Sequence, residues 1–290
     1  MVVTVGFFDG VHLGHRRVLR ALLAKGSDAA VLTFWPHPRI VLGQNASQLG
    51  LLNTLEERMS HLAAVGVSDV RCIEFTKEFA AVSAADFIRE CLIGEMGCKT
   101  LVLGYDNRLG SDGLDTEQIA SLASSMGLEV KIVPPVEVDG VRVSSTRIRR
   151  FLEEGDVERA AAMLGYRYAL EGEVIEGKRL GRTIGFPTAN LQPSSDIKVV
   201  PANGVYVVDV EVGGRHFRGM TNIGVRPTLD DKRGRTIETH ILDFNEDIYG
   251  KEIRLEFIAR VRNERKFTSL AELAEQLEQD RQNCYGYQSR

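Results

Sequence analysis

The first half of the chain alternates short apolar runs with stretches whose apolar residues return at helical spacing. Runs at 2–5, 30–34, 70–75, 100–103 and 128–133 read as strands, with helices at about 13–24, 55–64, 84–93 and 116–126 between them. Consecutive parallel strands need a connection long enough for a helix, so this rhythm predicts a doubly wound parallel sheet. The helix starts agree. Thr54 and Glu57 have the spacing of a capping box and Ser83 precedes its helix as an N-cap, each offering an acceptor to amides that have no partner inside the helix.

Beyond about Leu164 the period shortens to two. In residues 205–212, Val205, Val207 and Asp209 oppose Tyr206, Val208 and Val210; Gly213-Gly214 reads as a tight hairpin turn, and the chain returns through 215–221. Further strands are predicted at 235–242 and 253–259, which makes the second half an antiparallel barrel or sandwich closed by one terminal helix. Ser269 and Glu272 repeat the capping-box spacing, and the stripe of Leu270, Leu273 and Leu277 is expected to pack into the core. The boundary is expected in the helical connector between Phe151 and Tyr166, dividing the chain into 1–164 and 165–290.

At roughly 150 residues per domain, a length of 290 agrees with two domains. The 36 Lys and Arg against 40 Asp and Glu leave a net charge of −4, without the basic excess that draws a protein to nucleic acid. No apolar run approaches the roughly 20 residues of a membrane span, and Met1 leads straight into a strand without a basic leader. A cytoplasmic protein with no membrane and no nucleic-acid partner is expected. Cys72, Cys91, Cys98 and Cys284 are scattered without a C-x-x-C pair, so they are expected as buried free thiols, with neither a zinc site nor a disulfide framework. Nothing in the pattern specifies an oligomeric state.

Candidate chemistry begins after the first strand, with Gly6-Phe7-Phe8-Asp9-Gly10-Val11-His12-Leu13-Gly14-His15. This is where an α/β sheet binds phosphates, His12 and His15 share a helix face, and Gly14 leaves room for a phosphate chain to approach the backbone. The pair lacks a third ligand at a telling spacing, which disfavours zinc. Thr33-Phe34-Trp35-Pro36-His37-Pro38 ends the second strand, and Val143-Ser144-Ser145-Thr146-Arg147-Ile148-Arg149 places hydroxyls and guanidinium groups at a helix start. A triphosphate is bound by such donors.

In the second half, Gly172-Glu173-Val174-Ile175-Glu176-Gly177-Lys178 imitates a Walker A loop, but Arg179 replaces the Ser or Thr that would hold magnesium and the run sits on a strand. The continuation Gly181-Arg182-Thr183-Ile184-Gly185-Phe186-Pro187-Thr188-Ala189-Asn190 is more informative. Its glycines permit a flap over phosphates, and Thr188 and Asn190, two apart on an extended segment, face one side, where they could share a magnesium ion with ATP. Asn222-Ile223-Gly224-Val225-Arg226-Pro227-Thr228 and Glu238-Thr239-His240-Ile241-Leu242-Asp243 complete the set. His240 shares a strand face with Glu238 and is expected to be structural.

The three early segments resemble the H-x-G-H nucleotidyltransferases, specifically the adenylyltransferase half of the bacterial bifunctional riboflavin kinase/FAD synthetases, from Val3 to about Leu164. The later segments resemble the riboflavin kinase half, through to the terminal helix. The resemblance implies a Rossmann-like parallel sheet followed by a Greek-key antiparallel β-barrel, and two reactions: riboflavin and ATP giving FMN and ADP, then FMN and ATP giving FAD and pyrophosphate. It implies His12 and His15 as the catalytic pair of the first half, with Gly6, Phe8, Asp9, Gly10, Gly14, Ser144, Ser145, Thr146 and Arg149 around ATP. FMN would lie by Pro36, His37, Pro38, Tyr105, Asp106 and Asn107. In the second half it implies Glu238 as base, Gly177, Gly181, Arg182, Gly185, Pro187, Thr188 and Asn190 around ATP, Thr188 and Asn190 on Mg2+, and Arg226 and Arg262 with Glu238 at the flavin.

One segment departs from the family. Where the pattern is Gly-Phe/Tyr-Asp-Phe-x-Phe-Gly, this chain has Gly104-Tyr105-Asp106-Asn107-Arg108-Leu109-Gly110, so aromatic positions fall at Asn107 and Leu109. Flavin rings favour aromatic walls, and an altered FMN affinity is expected. The alternative is a riboflavin kinase whose adenylyltransferase half is weak or inactive.

Overall fold

Strand β1 (Val2–Val5) is followed by α1 (Leu13–Leu23), β2 (Ala29–Trp35), α2 (Pro38–Val41), α3 (Leu55–Ala64) and β3 (Asp69–Glu74). Next come α4 (Ala84–Asp86), which continues as a wider π-helical stretch, Phe87–Glu95, then β4 (Thr100–Gly104), α5 (Thr116–Ser125) and β5 (Glu129–Val133). These coordinates are a computed structural model, which describes residues 1–26, 28–43, 50–177, 180–225 and 235–287. The five strands are parallel in the order β3-β2-β1-β4-β5. The chain runs outward from β1 through β2 to β3, then returns to place β4 on the other side of β1. That reversal opens a crevice beyond the carboxyl ends of β1 and β4.

The burial pattern follows from helices on both faces. β2 and β4 are buried almost throughout, and alternate residues serve two cores: Val3, Val5, Leu32 and Leu101 meet Phe87, Ile88 and Leu92, whereas Val31 and Val102 meet Leu19, Leu22 and Leu62. Thr54 and Glu57 form both halves of the expected capping box, at 3.2 and 2.8 Å, and Ser83 Oγ accepts from the Asp86 amide at 3.1 Å.

After β5 come a short hairpin, β6 (Glu137–Val138) and β7 (Val141–Arg142), and two helices, α6 (Ser145–Glu154) and α7 (Val157–Leu164). By internal contacts the chain divides into two compact units, Met1–Arg147 and Ile148–Arg290. The second unit contains β8 (Ala169–Ile175), α8 (Leu180–Thr183), β9 (Ala189–Pro193), β10 (Gly204–Val212), β11 (Arg215–Val225), β12 (Arg235–Ile241), β13 (Glu252–Arg262) and α9 (Leu270–Gly286). Its strands close into an antiparallel barrel, β10-β11-β12-β9-β8-β13. The β10-β11-β12 meander with β13 returning beside β10 is a Greek key.

Gly213 and Gly214 both have positive φ, +57° and +73°, and join the Val212–Arg215 pair, the two-residue turn whose twist suits a hairpin. β10 occupies the predicted 205–212 with one residue more. It is buried on both faces, because Val205 and Val207 pack against Met220, Ala259 and Cys284 of α9 while Val208 and Val210 are also enclosed. At the start of α9, Ser269 Oγ accepts from the Glu272 amide at 3.1 Å, but the Glu272 carboxylate takes the Thr268 amide at 3.0 Å in place of that of Ser269.

Candidate active sites

In the first unit the loops leaving β1, β2 and β4 meet at the crevice. After β1, Phe8 and Val11 adopt positive φ, +57° and +34°, an uncommon state for large or β-branched residues and a mark of a loop held by its surroundings. His12 then caps α1: its Nδ1 accepts from the His15 amide at 3.2 Å, which puts the ring hydrogen of neutral His12 on Nε2. The His15 ring stacks on His12 with centroids 3.6 Å apart and meets the Phe8 ring edge-on at 5.2 Å. His15 Nδ1 is shut off from solvent and makes no hydrogen bond. Burial, with the nearby His12 and Arg58, holds the His15 imidazole well below its usual pKa of 6.5. His15, which its surroundings keep from taking up a proton, and the capping His12 thus stand at the positive end of a helix.

The other segments reach this pair through the backbone. A Cβ on Gly14 would lie 3.1 Å from the His12 ring and 4.0 Å from the Val143 carbonyl, so Gly14 lets all three come together. Ser145 Oγ donates to the Asp9 carbonyl at 2.9 Å, and Ser144 Oγ accepts from the Arg147 amide at 3.3 Å as a helix cap. Thr146 is exposed, and Arg149 lies one turn beyond Ser145 on α6. The Asp9 carboxylate is turned inward: Oδ1 accepts from the amides of Leu52 and Asn53, at 2.9 and 3.3 Å, and so ties the β1 loop to the approach to α3.

From β2, Pro36, His37 and Pro38 are half-buried; His37 caps α2, and its ring meets that of Phe7 edge-on at 4.3 Å. Beyond β4, the Arg142 guanidinium lies 4.9 Å over the Tyr105 ring, and Asp106 is exposed. The side chain of Asn107 turns back into the sheet. Its Nδ2 donates to the Val5 carbonyl at 2.9 Å and its Oδ1 accepts from the Gly104 amide at 2.6 Å, clamping the ends of β1 and β4. Leu109 packs against the core containing Leu101 and Leu103.

Arg58, on α3, is absent from the sequence-derived set. It is 1% exposed, donates to the carbonyls of Phe7 at 2.7 Å and Phe34 at 3.2 Å, and its guanidinium sits 4.0 Å over the Phe7 ring. Burial draws its pKa down to about 10. Its sequence signal is its position four residues before the buried Leu62, on the apolar stripe of the helix.

In the second unit a cavity of about 330 Å³ is lined by Thr188, Glu238 and Arg262, with Asn222, His240, Phe186 and Phe267. Glu238 faces Asn222 on β11 and Asn190 on β9 in the strand pairing, which brings two separated motifs to one place. Gly177 and Gly181 are required by close approaches: a Cβ would lie 2.2 Å from Asn190 Nδ2 and 2.1 Å from the Phe186 carbonyl, respectively. Gly185 has a φ of +82°, and Arg182 and Pro187 are exposed. Arg226 lies outside the described residues, as do Lys178 and Arg179 of the Walker-like run.

The stripe Leu270, Leu273 and Leu277 does not enter the core as expected. Only Leu277 packs against the core cluster of Val205, Val207 and Met220; all three leucines line this cavity, and Leu270 is 62% exposed. A terminal helix that borders a cavity carries the same apolar spacing as one that seals a core. Arg262 is held by the fully buried Asp280 of α9, its Nε and Nη2 reaching the carboxylate at 2.9 and 2.7 Å. Phe267, which lines the cavity, and Asp280, which holds Arg262, are therefore residues that spacing alone does not single out.

Thr188 and Asn190 offer neutral oxygen donors, the set that suits an ion keeping most of its shell as water and phosphate oxygen. Among the described residues, no group of three or more His, Cys, Asp and Glu could hold a metal ion. Nor is any helix among them long and apolar enough to cross a membrane.

Fold and sites together define a two-unit, nucleotide-dependent transferase. The family model for FAD synthetase matches residues 1–147 and that for riboflavin kinase matches 164–287. The bifunctional riboflavin kinase/FMN adenylyltransferase of Bacillus subtilis (strain 168) is 37% identical, over 99% of this chain and 92% of the relative. That of Escherichia coli (strain K12) is 36% identical, over 96% and 90%. A crystal structure named as a macrolide-efflux protein from Streptococcus pneumoniae superposes with a TM-score of 0.90 at 35% identity, covering 99% of this chain and 94% of that one. The chain belongs to the bifunctional riboflavin kinase/FMN adenylyltransferase family.

Proposed function

We propose that the chain makes FAD in two steps, phosphorylating riboflavin in residues 165–290 and adenylylating the resulting FMN in residues 1–164. The observation that carries this reading is that each unit assembles, from segments distant in sequence, the donors its own reaction needs. In the kinase half, the Glu238 carboxylate takes the proton of the terminal ribityl hydroxyl. That oxygen bonds to the γ-phosphorus of ATP, and ADP leaves. Thr188 and Asn190 hold ATP with Mg2+, which neutralises charge on the phosphates when bound. Arg262, fixed by Asp280, meets the flavin. Such transfers depend chiefly on positioning and charge neutralisation, which accounts for the few ionisable groups involved.

In the adenylyltransferase half, a phosphate oxygen of FMN attacks the α-phosphorus of ATP and pyrophosphate departs. His12 and His15 stabilise the charge that builds on the α-phosphate, aided by the N-terminus of α1. FMN lies between the Pro36–His37–Pro38 segment and Tyr105. A compartment that supplies ATP and keeps all four cysteines free, the cytoplasm, suits both reactions.

The test is a time course with riboflavin, excess ATP and magnesium, the flavins separated by chromatography. FMN that appears and gives way to FAD is expected. FMN that accumulates without FAD would restrict the activity to the kinase, and the absence of both products would overturn the proposal.

A further inference from the structure

We infer that His240 is a positioning residue of the phosphoryl-transfer site, tethering the segment before β9 so that Thr188 is held in the wall of the cavity that it lines with Glu238. The inference rests on the kinase reading above for its kinetic consequence, but not for the tether itself.

The β9–β12 ladder contains Asn190 opposite Glu238 and Ala189 opposite Thr239. The next step would set Thr188 opposite His240, and there the ladder stops. Pro187, one residue further, has no amide hydrogen with which to extend it. The His240 side chain takes over at this point: its Nδ1 lies 2.8 Å from the Pro187 carbonyl oxygen. A carbonyl oxygen only accepts, so Nδ1 is the nitrogen carrying the hydrogen. Thr188 is therefore bracketed, by the backbone ladder at Ala189 on one side and by the imidazole tether at Pro187 on the other.

The preceding residues are held as well. The Phe186 ring meets the His240 ring edge-on at 5.2 Å, and the Arg281 guanidinium stands 5.5 Å over Phe186. The Phe186 amide donates to the Gly181 carbonyl at 2.8 Å, which folds residues 181–186 into a closed turn. His240 is 8% exposed and lies two residues from Glu238 on the same strand face, and both line the cavity with Thr188. A buried histidine of purely structural use would need no contact with this segment; this one bonds to the residue adjoining the hydroxyl at issue.

The experiment compares His240→Leu and His240→Asn in the full chain. The asparagine amide nitrogen can stand near the position of Nδ1 and donate to the same carbonyl, whereas leucine cannot. In riboflavin phosphorylation, His240→Leu is expected to raise KM for magnesium-ATP about tenfold or more. Riboflavin affinity without ATP, read by flavin fluorescence, should change less than about twofold, and His240→Asn should recover most of the loss. FMN adenylylation by the same preparations should match the parent. Equal KM in parent and leucine variant, equal losses of riboflavin and ATP affinity, or no recovery with asparagine would overturn the inference. If the leucine variant does not fold, the asparagine variant and ring-nitrogen NMR of the parent decide it: Nδ1 of His240 must be protonated. A parent chain that forms no FMN would count against the kinase reading, and the NMR result would still decide the tether.

Discussion

The rings of His12 and His15 lie 3.6 Å apart and within 13° of parallel, while His12 Nδ1 accepts the hydrogen bond of the His15 amide. Such a stack cannot carry two charges cheaply in a site shielded from water, and burial adds to the cost, so His15 resists protonation in the folded protein.

An acid-side loss of stability follows. In the unfolded chain His15 takes up a proton near its ordinary 6.5, whereas the folded protein does so only at a much lower pH. Between those two values the unfolded state binds more protons, so stability decreases as pH falls, by at most about 1.4 kcal/mol per pH unit for this group, and levels off once folded His15 protonates. His240, also lowered mainly by burial, acts in the same direction. Thermal midpoints measured from about pH 7.5 to about pH 5 should fall for the parent and fall less for His15→Gln.

Substitutions in the two sites should separate the activities. Glu238→Gln removes the acceptor for the ribityl proton and should lower riboflavin phosphorylation about 10²- to 10⁴-fold, leaving FMN adenylylation intact. His15→Ala should do the reverse, with about a 10²- to 10³-fold loss in FAD formation from FMN. Each variant is assayed for both products; loss of both from either one would contradict the assignment of one reaction to each unit.

The departure at Asn107 has a structural basis, which reverses the simplest engineering idea. Replacing it with the family's phenylalanine would not add a wall to a flavin pocket at no cost, because the amide clamps the Val5 carbonyl and the Gly104 amide. Asn107→Phe should destabilise the first unit by about 1–3 kcal/mol, the penalty for leaving buried backbone groups unpaired. Urea unfolding measures it. Tighter FMN binding with unchanged stability would show that the clamp is dispensable.

Most of the framework was legible because the periods that define it arise from burial. Alternate residues of β1 serve two cores, and the capping oxygens of Thr54, Ser83 and Ser269 sit where amides are left over. Less legible were groups whose role depends on what lies across a strand or behind a helix. Leu270 has the spacing of a core residue yet borders a cavity; Arg58, a charge on the apolar stripe of its helix, is sealed against Phe7; Asp9, in the loop expected at the nucleotide, also holds Leu52 and Asn53. Short-range spacing identifies a face, and only the tertiary partner determines whether that face meets protein or ligand.

The thiols should differ sharply in reactivity. Cys72 is exposed, whereas Cys98 and Cys284 are buried, with burial pushing them up to about 11 and about 12. The reactive species is the thiolate, so a disulfide reagent near neutral pH should modify Cys72 first and leave Cys98 and Cys284 untouched until unfolding. Mass spectrometry of the labelled peptides checks the order, and early labelling of Cys284 would show that α9 opens in the native state.

The ion pair of Arg262 and Asp280 should respond asymmetrically to truncation. The Asp280 side chain is 1% exposed and that of Arg262 19%, so the two charges differ in their access to water once the partner is gone. Arg262→Ala strands a carboxylate inside α9 with only Gln276, at 3.0 Å, as a remaining side-chain donor among the described bonds. It should cost about 3–5 kcal/mol, the range for breaking a buried pair from one side. Asp280→Ala leaves a guanidinium that can reach solvent, and should cost less. If Arg262 also lies against the flavin, its removal will weaken riboflavin binding beyond the loss seen in Asp280→Ala at matched folded fraction. Urea unfolding and riboflavin titration on both variants separate the two effects, and an equal or reversed order of stabilities would show that solvent access does not control the cost.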